Sequence, residues 1–217
     1  MKNPNFEKSY VKANEILVRS NAISNFPFNP IVLVKELSEI RCKTFATARR
    51  YGVDITDFGS ESAIIMKIGN KSIIFYDDTK LQTHINFSII HEFGHTELDH
   101  DFSKKEHETY IRNEVETNYF TAQLLMPEQL LRELQRRGVL ITVQFLVDKF
   151  GVSRQAANKR IETLAKTNIE WFSRSQKEYD DIILFKYARF LDNVCPQSNL
   201  YSYEDELLFQ EERSKWY

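Results

Sequence analysis

Residues 87–100 read FSIIHEFGHTELDH, with two histidines four positions apart around a glutamate in an otherwise apolar run. That spacing puts His91 and His95 on one face of a helix. Ile85, Phe87, Ile89, Ile90 and Phe93 occupy too much of the circumference for a surface helix, so this one is expected at the centre of the fold. Two adjacent imidazole nitrogens can hold one ion. Neutral imidazole in a tetrahedral shell with one open position suits Zn²⁺. Glu92 points elsewhere and is placed to take a proton from a metal-activated water. Against the bland alternative, a polar patch on a solvated helix face, stand the apolar helix around the pair and the usable glutamate on the helix that follows; in a purely structural metal site Glu92 would have no obvious purpose.

A catalytic zinc site needs a third protein ligand. The metzincin pattern would require Gly and His where Leu98 and Asp101 stand, so it does not apply. His100 follows His95 by five positions and, on a continuing helix, would project about 140° away from it. The next helical run, RNEVETNYFTAQLLMP (112–127), offers Glu114 and Asn118 one turn apart on a single face. Glu114 is the expected ligand, with Asn118 supporting a ligand from behind. Glu116 is the rival. It projects about 160° from Asn118 and is expected to face solvent.

The rest of the chain reads as α+β. Helices are expected over 6–20, from Asn29–Pro30 onward, from Thr83, and from about Glu106 to Met126, where Pro127 closes the run. Strands are expected at CKTFA (42–46), SAIIMKIG (62–69) and KSIIFYD (71–77), the last two joined by a Gly69–Asn70 turn. Residues 128–217 read as wholly helical, with YDDIILFKYARFLDNV as one amphipathic helix. The expected units are a metal-binding domain over 1–127, a helix-turn-helix-like segment over 128–168, and a helical extension over 169–217.

The succession INFSIIHEFGHTELDH and then EVETNYFTAQLLMPE resembles the ImmA/IrrE family of zinc metallopeptidases. The resemblance covers roughly residues 10–168. It implies a zincin-like domain with a gluzincin-type site: His91, His95 and Glu114 on Zn²⁺, with Glu92 as general base. It also implies a substrate, a partner repressor of the Xre helix-turn-helix type, whose cleavage relieves repression of a mobile element or stress genes. Tyr110, His100 and His107 are candidates for stabilising the oxyanion. The strand over 62–68 is a candidate edge for pairing with an extended substrate, or else simply a buried strand.

FLVDKFGVSRQAANKRIETL (145–164) has the form of a helix-turn-helix. Gly151 makes the turn, Ser153 caps the second helix, and Ala157, Ile161 and Leu164 face inward. Arg154, Gln155, Asn158 and Lys159 face outward, and these residue types can read bases or hold phosphates. DNA binding competes here with partner docking or plain structure. A DNA-binding or repressor-sequestering regulator with a vestigial metal site is thus the second reading of the whole chain.

With 217 residues, 42% hydrophobic and 28% charged, the sequence has the composition of a globular protein with a sizeable core. A net charge of −2 gives no overall pull toward nucleic acid or membrane. Two isolated cysteines, the absence of a signal-like start and the lack of a membrane-length apolar run lead to an expected cytoplasmic location.

Overall fold

The computed structural model describes residues 3–54, 56, 62–100 and 107–196. Helix α1 (Phe6–Arg19) starts at Asn5, whose side chain accepts the Lys8 N–H. Helix α2 (Pro30–Leu37) has the expected Asn29 cap and Pro30 in its first turn. A three-stranded sheet follows, from β1 (Arg41–Thr44), β2 (Ala63–Ile68) and β3 (Lys71–Tyr76). The first strand is shorter than expected, because Phe45 opens a 3₁₀ helix over Phe45–Tyr51. The strand order is β1–β3–β2, with β1 parallel and β2 antiparallel to β3.

Alternation along β2 and β3 divides the sheet's two faces. Ile74 and Ala63 join the main core, with Ile65 packed against it. Ile73 and Phe75 form a second cluster with Ala48 and Val53, against which Ile64, Met66 and Ile68 pack. Helix α3 (Gln82–Glu97) lies on the main-core side and contributes Ile85, Ile89, Ile90 and Phe93. Helix α4 (His107–Leu125) packs between α1 and α3. Both sides of α4 are therefore covered, which a wheel with a single core face does not anticipate.

Helices α5 (Glu128–Arg136), α6 (Val143–Phe150) and α7 (Arg154–Lys166) complete the middle of the chain. Between α6 and α7, Gly151 has φ 63°, and a Cβ there would lie 2.8 Å from the Cβ of Pro27. Backbone freedom and space both require glycine at this turn. Short helices α8 (Arg174–Lys177), α9 (Asp180–Lys186) and α10 (Ala188–Val194) follow. The single amphipathic helix expected near the end is two helices, interrupted at Tyr187. The Tyr187 hydroxyl donates to Leu17 O at 2.9 Å, and Lys186 Nζ donates to the carbonyls of Leu17 and Val18, fastening this corner onto the end of α1. One main core runs from Ala13 through Leu191 and crosses the expected boundaries at 127/128 and 168/169. The expected helical stretch 197–217 lies outside the described residues.

Candidate metal centre

His91 and His95 share a face of α3, and their Nε2 atoms lie 3.1 Å apart. Glu114 reaches them from α4: Oε2 is 3.2 Å from His91 Nε2 and Oε1 is 3.3 Å from His95 Nε2. Each imidazole nitrogen thus has a different Glu114 oxygen beside it, and ligands on one tetrahedral ion with bonds of roughly 2.0–2.1 Å stand about 3.3–3.4 Å apart, so the carboxylate is close enough to join both histidines on an ion. Glu114 can come this close because Gly94 lets α3 and α4 touch. A Cβ at Gly94 would stand 2.7 Å from Phe120 Cδ1 and 3.0 Å from Thr117 Cγ2 on α4.

Glu92 also lies near both imidazoles, within 4.8 Å. Its Oε2, however, accepts the Ile65 N–H at 3.0 Å, across the cleft on β2. Glu114 is the closer carboxylate and the better candidate ligand, while Glu92 faces the strand. Their electrostatics differ accordingly. Burial pushes the Glu92 carboxyl above its ordinary value, with His91, His95 and the Ile65 N–H opposing. Burial also raises Glu114, but the hydrogen bonds and charges of His91 and His95 outweigh it and bring it to about 2. The ring of Phe87 stacks beside His91 at 6.2 Å.

Two surroundings differ from expectation. Asn118 is exposed. The side chain beside the His95 ring is Thr117 instead, with Oγ1 3.2 Å from His95 Nδ1. Glu116, expected in solvent, is buried. Its Oε1 accepts the Asn5 N–H at 2.8 Å and its Oε2 lies 3.1 Å from His100 Nε2. The covered position of α4 against α1 accounts for this. His100 does not project away from His95 either, because the helix stops first. Asp99 takes a left-handed conformation at φ 56°. His100 N–H bonds to His95 O, and Asp99 N–H to Thr96 O, the paired bonds of a Schellman stop. The chain thereby folds back and sets His100 Nδ1 2.9 Å from His95 Nδ1. With both ring nitrogens so engaged, His100 is not a free oxyanion donor. Tyr110 stays exposed on α4, one turn before Glu114.

Residues 46–162 match the model of peptidase family M78, described as the IrrE N-terminal-like domain. The chain belongs to this family. The match runs from the 3₁₀ helix into α7 and so contains the sheet, both helices of the candidate centre and the α6–α7 pair. No curated protein matches the chain. Membership in M78 makes this a peptidase-type domain, and its His91–Glu92–His95 cluster is of the kind that holds a metal. Among the described residues, no helix is long and apolar enough to cross a membrane.

On α7, Arg154, Gln155, Asn158 and Lys159 are all exposed, while Ala157 is buried. Arg154 donates to Gln144 at 2.8 Å, and Lys159 pairs with Glu162 at 3.3 Å. Arg160 is the exception to the basic face. It is buried and donates to Met126 O and Gln123 Oε1.

Proposed function

We propose that this M78 domain is a cytoplasmic zinc endopeptidase that cuts a partner Xre-type helix-turn-helix repressor, so relieving repression of a mobile element or stress genes. The observation that carries the reading is the convergence of His91, His95 and Glu114 at 3.1–3.3 Å, with the Glu92 carboxylate hydrogen-bonded to the Ile65 N–H beside them. Zinc held by those three residues would supply Lewis acidity, polarising a carbonyl and acidifying water. Glu92 takes the proton of the attacking water and delivers it to the leaving amine. Its buried carboxyl binds a proton more tightly than a free one, as a shuttle between water and amine requires.

The sheet edge supports a peptide as the substrate. Ser62 O accepts the Asp77 N–H, so Ser62 faces β3; Ile65 N–H bonds to Glu92, so Ile65 faces away from it. With β2 antiparallel to β3, the polar groups of Ala63, Ile65 and Lys67 therefore point toward the cleft. An extended chain can add to this edge beside Glu92. The repressor as substrate rests on the resemblance to ImmA/IrrE peptidases.

The test is incubation of the purified protein and its Glu92→Gln variant with purified Xre-type helix-turn-helix repressors, read by mass spectrometry of fragments. Cleavage by wild type alone supports the reading; equal repressor inactivation by Glu92→Gln contradicts it. The second reading, a DNA-binding or sequestering regulator, draws on the exposed Arg154, Gln155, Asn158 and Lys159. It requires DNA affinity that Arg154→Ala and Lys159→Ala remove without touching cleavage.

A further inference from the structure

We propose that the cavity between α1, α5 and α9 is a binding site for a free α-amino acid with an apolar side chain, held by Tyr10, Asp180 and Arg132. The cavity measures about 360 Å³, inside the range of roughly 300–1,000 Å³ that small-molecule sites occupy. None of His91, Glu92, His95 and Glu114 lines it, so it is separate from the candidate metal centre.

The wall has three chemically distinct parts. The first is apolar. The ring of Tyr10 and Phe172 meet edge to face at 5.0 Å, and Leu184 of α9 lies on the same wall. The second part accepts hydrogen bonds. Tyr10 is 1% exposed, yet its hydroxyl makes no hydrogen bond among the described residues. A buried tyrosine hydroxyl ordinarily finds a partner. This one is not sealed in the core, so it opens into the cavity. Burial, and then the nearby charges of Glu128 and Asp180, push the Tyr10 phenol up, so a protonated hydroxyl stands beside carboxylates. Glu128 is committed, since its Oε1 takes Arg132 at 2.6 Å. Asp180 is only half committed. Its Oδ1 accepts from Gln129 Nε2 at 2.9 Å, and its other oxygen has no partner among the described residues. An ammonium group offers three donors and no acceptor. The Asp180 oxygen and the Tyr10 lone pairs meet two of them.

The third part donates. Arg132 lies one turn beyond Gln129 on α5, about 4.5 Å along the axis. Its Nε bonds to Glu128, and its Nη2 to Glu128 and to Thr167 O, which leaves Nη1 for a carboxylate. Lys177 stands at the rim, exposed and without an ion pair among the described residues. Acceptors for a cation and donors for an anion are thus one helical turn apart, beside an apolar wall. An α-amino acid carries its ammonium and carboxylate on one carbon and fits that separation. Its side chain then falls on Phe172 and Leu184, which favours an apolar one.

The test is isothermal titration of the full chain with L-leucine and L-phenylalanine at millimolar concentration. N-acetyl-L-leucine, which has no ammonium, and L-leucinamide, which has no carboxylate, are titrated beside them, with L-glutamine as the polar side chain. Both apolar amino acids are expected to bind, and masking either charge is expected to weaken L-leucine roughly 10-fold or more. Asp180→Asn should weaken L-leucine by a similar factor, and Tyr10→Phe by only a few-fold, because it removes a hydrogen bond to a neutral group. A thermal melt of each variant checks folding, and the masked ligands on wild type decide the matter if a variant does not fold. The proposal is overturned if wild type binds neither apolar amino acid, or binds the masked forms or L-glutamine as tightly as L-leucine. Undiminished L-leucine binding by folded Asp180→Asn overturns it equally.

Discussion

Glu92 and Glu114 are two carboxylates near the same imidazoles, and their surroundings drive their proton affinities apart. Glu114 sits between two histidines and is depressed from 4.5 to about 2; Glu92 is raised by burial. A depressed carboxyl stabilises the fold above its unfolded pKa, and that contribution is lost as pH falls through the folded value. In metal-free protein under acidic conditions, where the histidines are charged, the urea-midpoint advantage of wild type over Glu114→Gln should be present just above about pH 4.5 and shrink as pH falls toward 2. An advantage that grows on acidification would mean Glu114 is not held by the histidines. The i, i+4 histidines were readable because helical spacing alone brings them together, and Glu114 because it stands at a usable place on the next helical run and in the motif that resembles ImmA/IrrE peptidases. Glu116, Thr117 and His100 were not. Their roles depend on α4 being covered on both sides and on the chain reversing at Asp99, a left-handed stop with no glycine to announce it.

At the scale of elements, the α3–α4 contact and the β2 edge carry the site. Gly94→Ala puts a methyl against Phe120, which is fully buried and has nowhere to move. It should cost about 1–3 kcal/mol in a urea denaturation and weaken zinc binding, because the helices must separate and Glu114 goes with α4. Unchanged zinc affinity would detach the helix contact from the centre. On β2, Ile65→Pro removes an N–H that faces the cleft, while Ile64→Pro removes one that faces β3. Proline is tolerated where no ladder bond is lost. Ile65→Pro should therefore fold and lose peptide cleavage, whereas Ile64→Pro should lower the melting temperature. Full cleavage by Ile65→Pro would rule out strand addition at this edge. Period-two alternation made both hairpin strands legible. The early end of β1 and the break at Tyr187 were not, since both depend on what the segment packs against.

At the scale of the molecule, one core ties the metal-centre helices to those that follow. Arg160 is its polar rivet: it bonds to Gln123 and Met126 O, and Gln123 in turn donates to Asn14 and Gln129. Arg160→Leu strands these acceptors in the core and should destabilise the protein by on the order of 3 kcal/mol in urea, with zinc affinity of the folded protein unchanged. A neutral effect would mean that the buried network is dispensable. In sequence, Arg160 looks like one more basic residue in a helix-turn-helix, and only its burial separates it from Arg154 and Lys159. The α+β class, the helix order and the membership in M78 were all legible because they rest on local periodicity and on motifs. The continuity of the core across 127/128 and 168/169 depends on long-range packing that no local pattern encodes. The most direct measurement is the zinc content of protein purified without chelator, for wild type and Glu114→Ala. About one zinc per chain in wild type, lost in Glu114→Ala, is the expected result. Wild type that takes up no zinc when supplied with it, or Glu114→Ala that keeps it as tightly, would contradict the three-ligand centre.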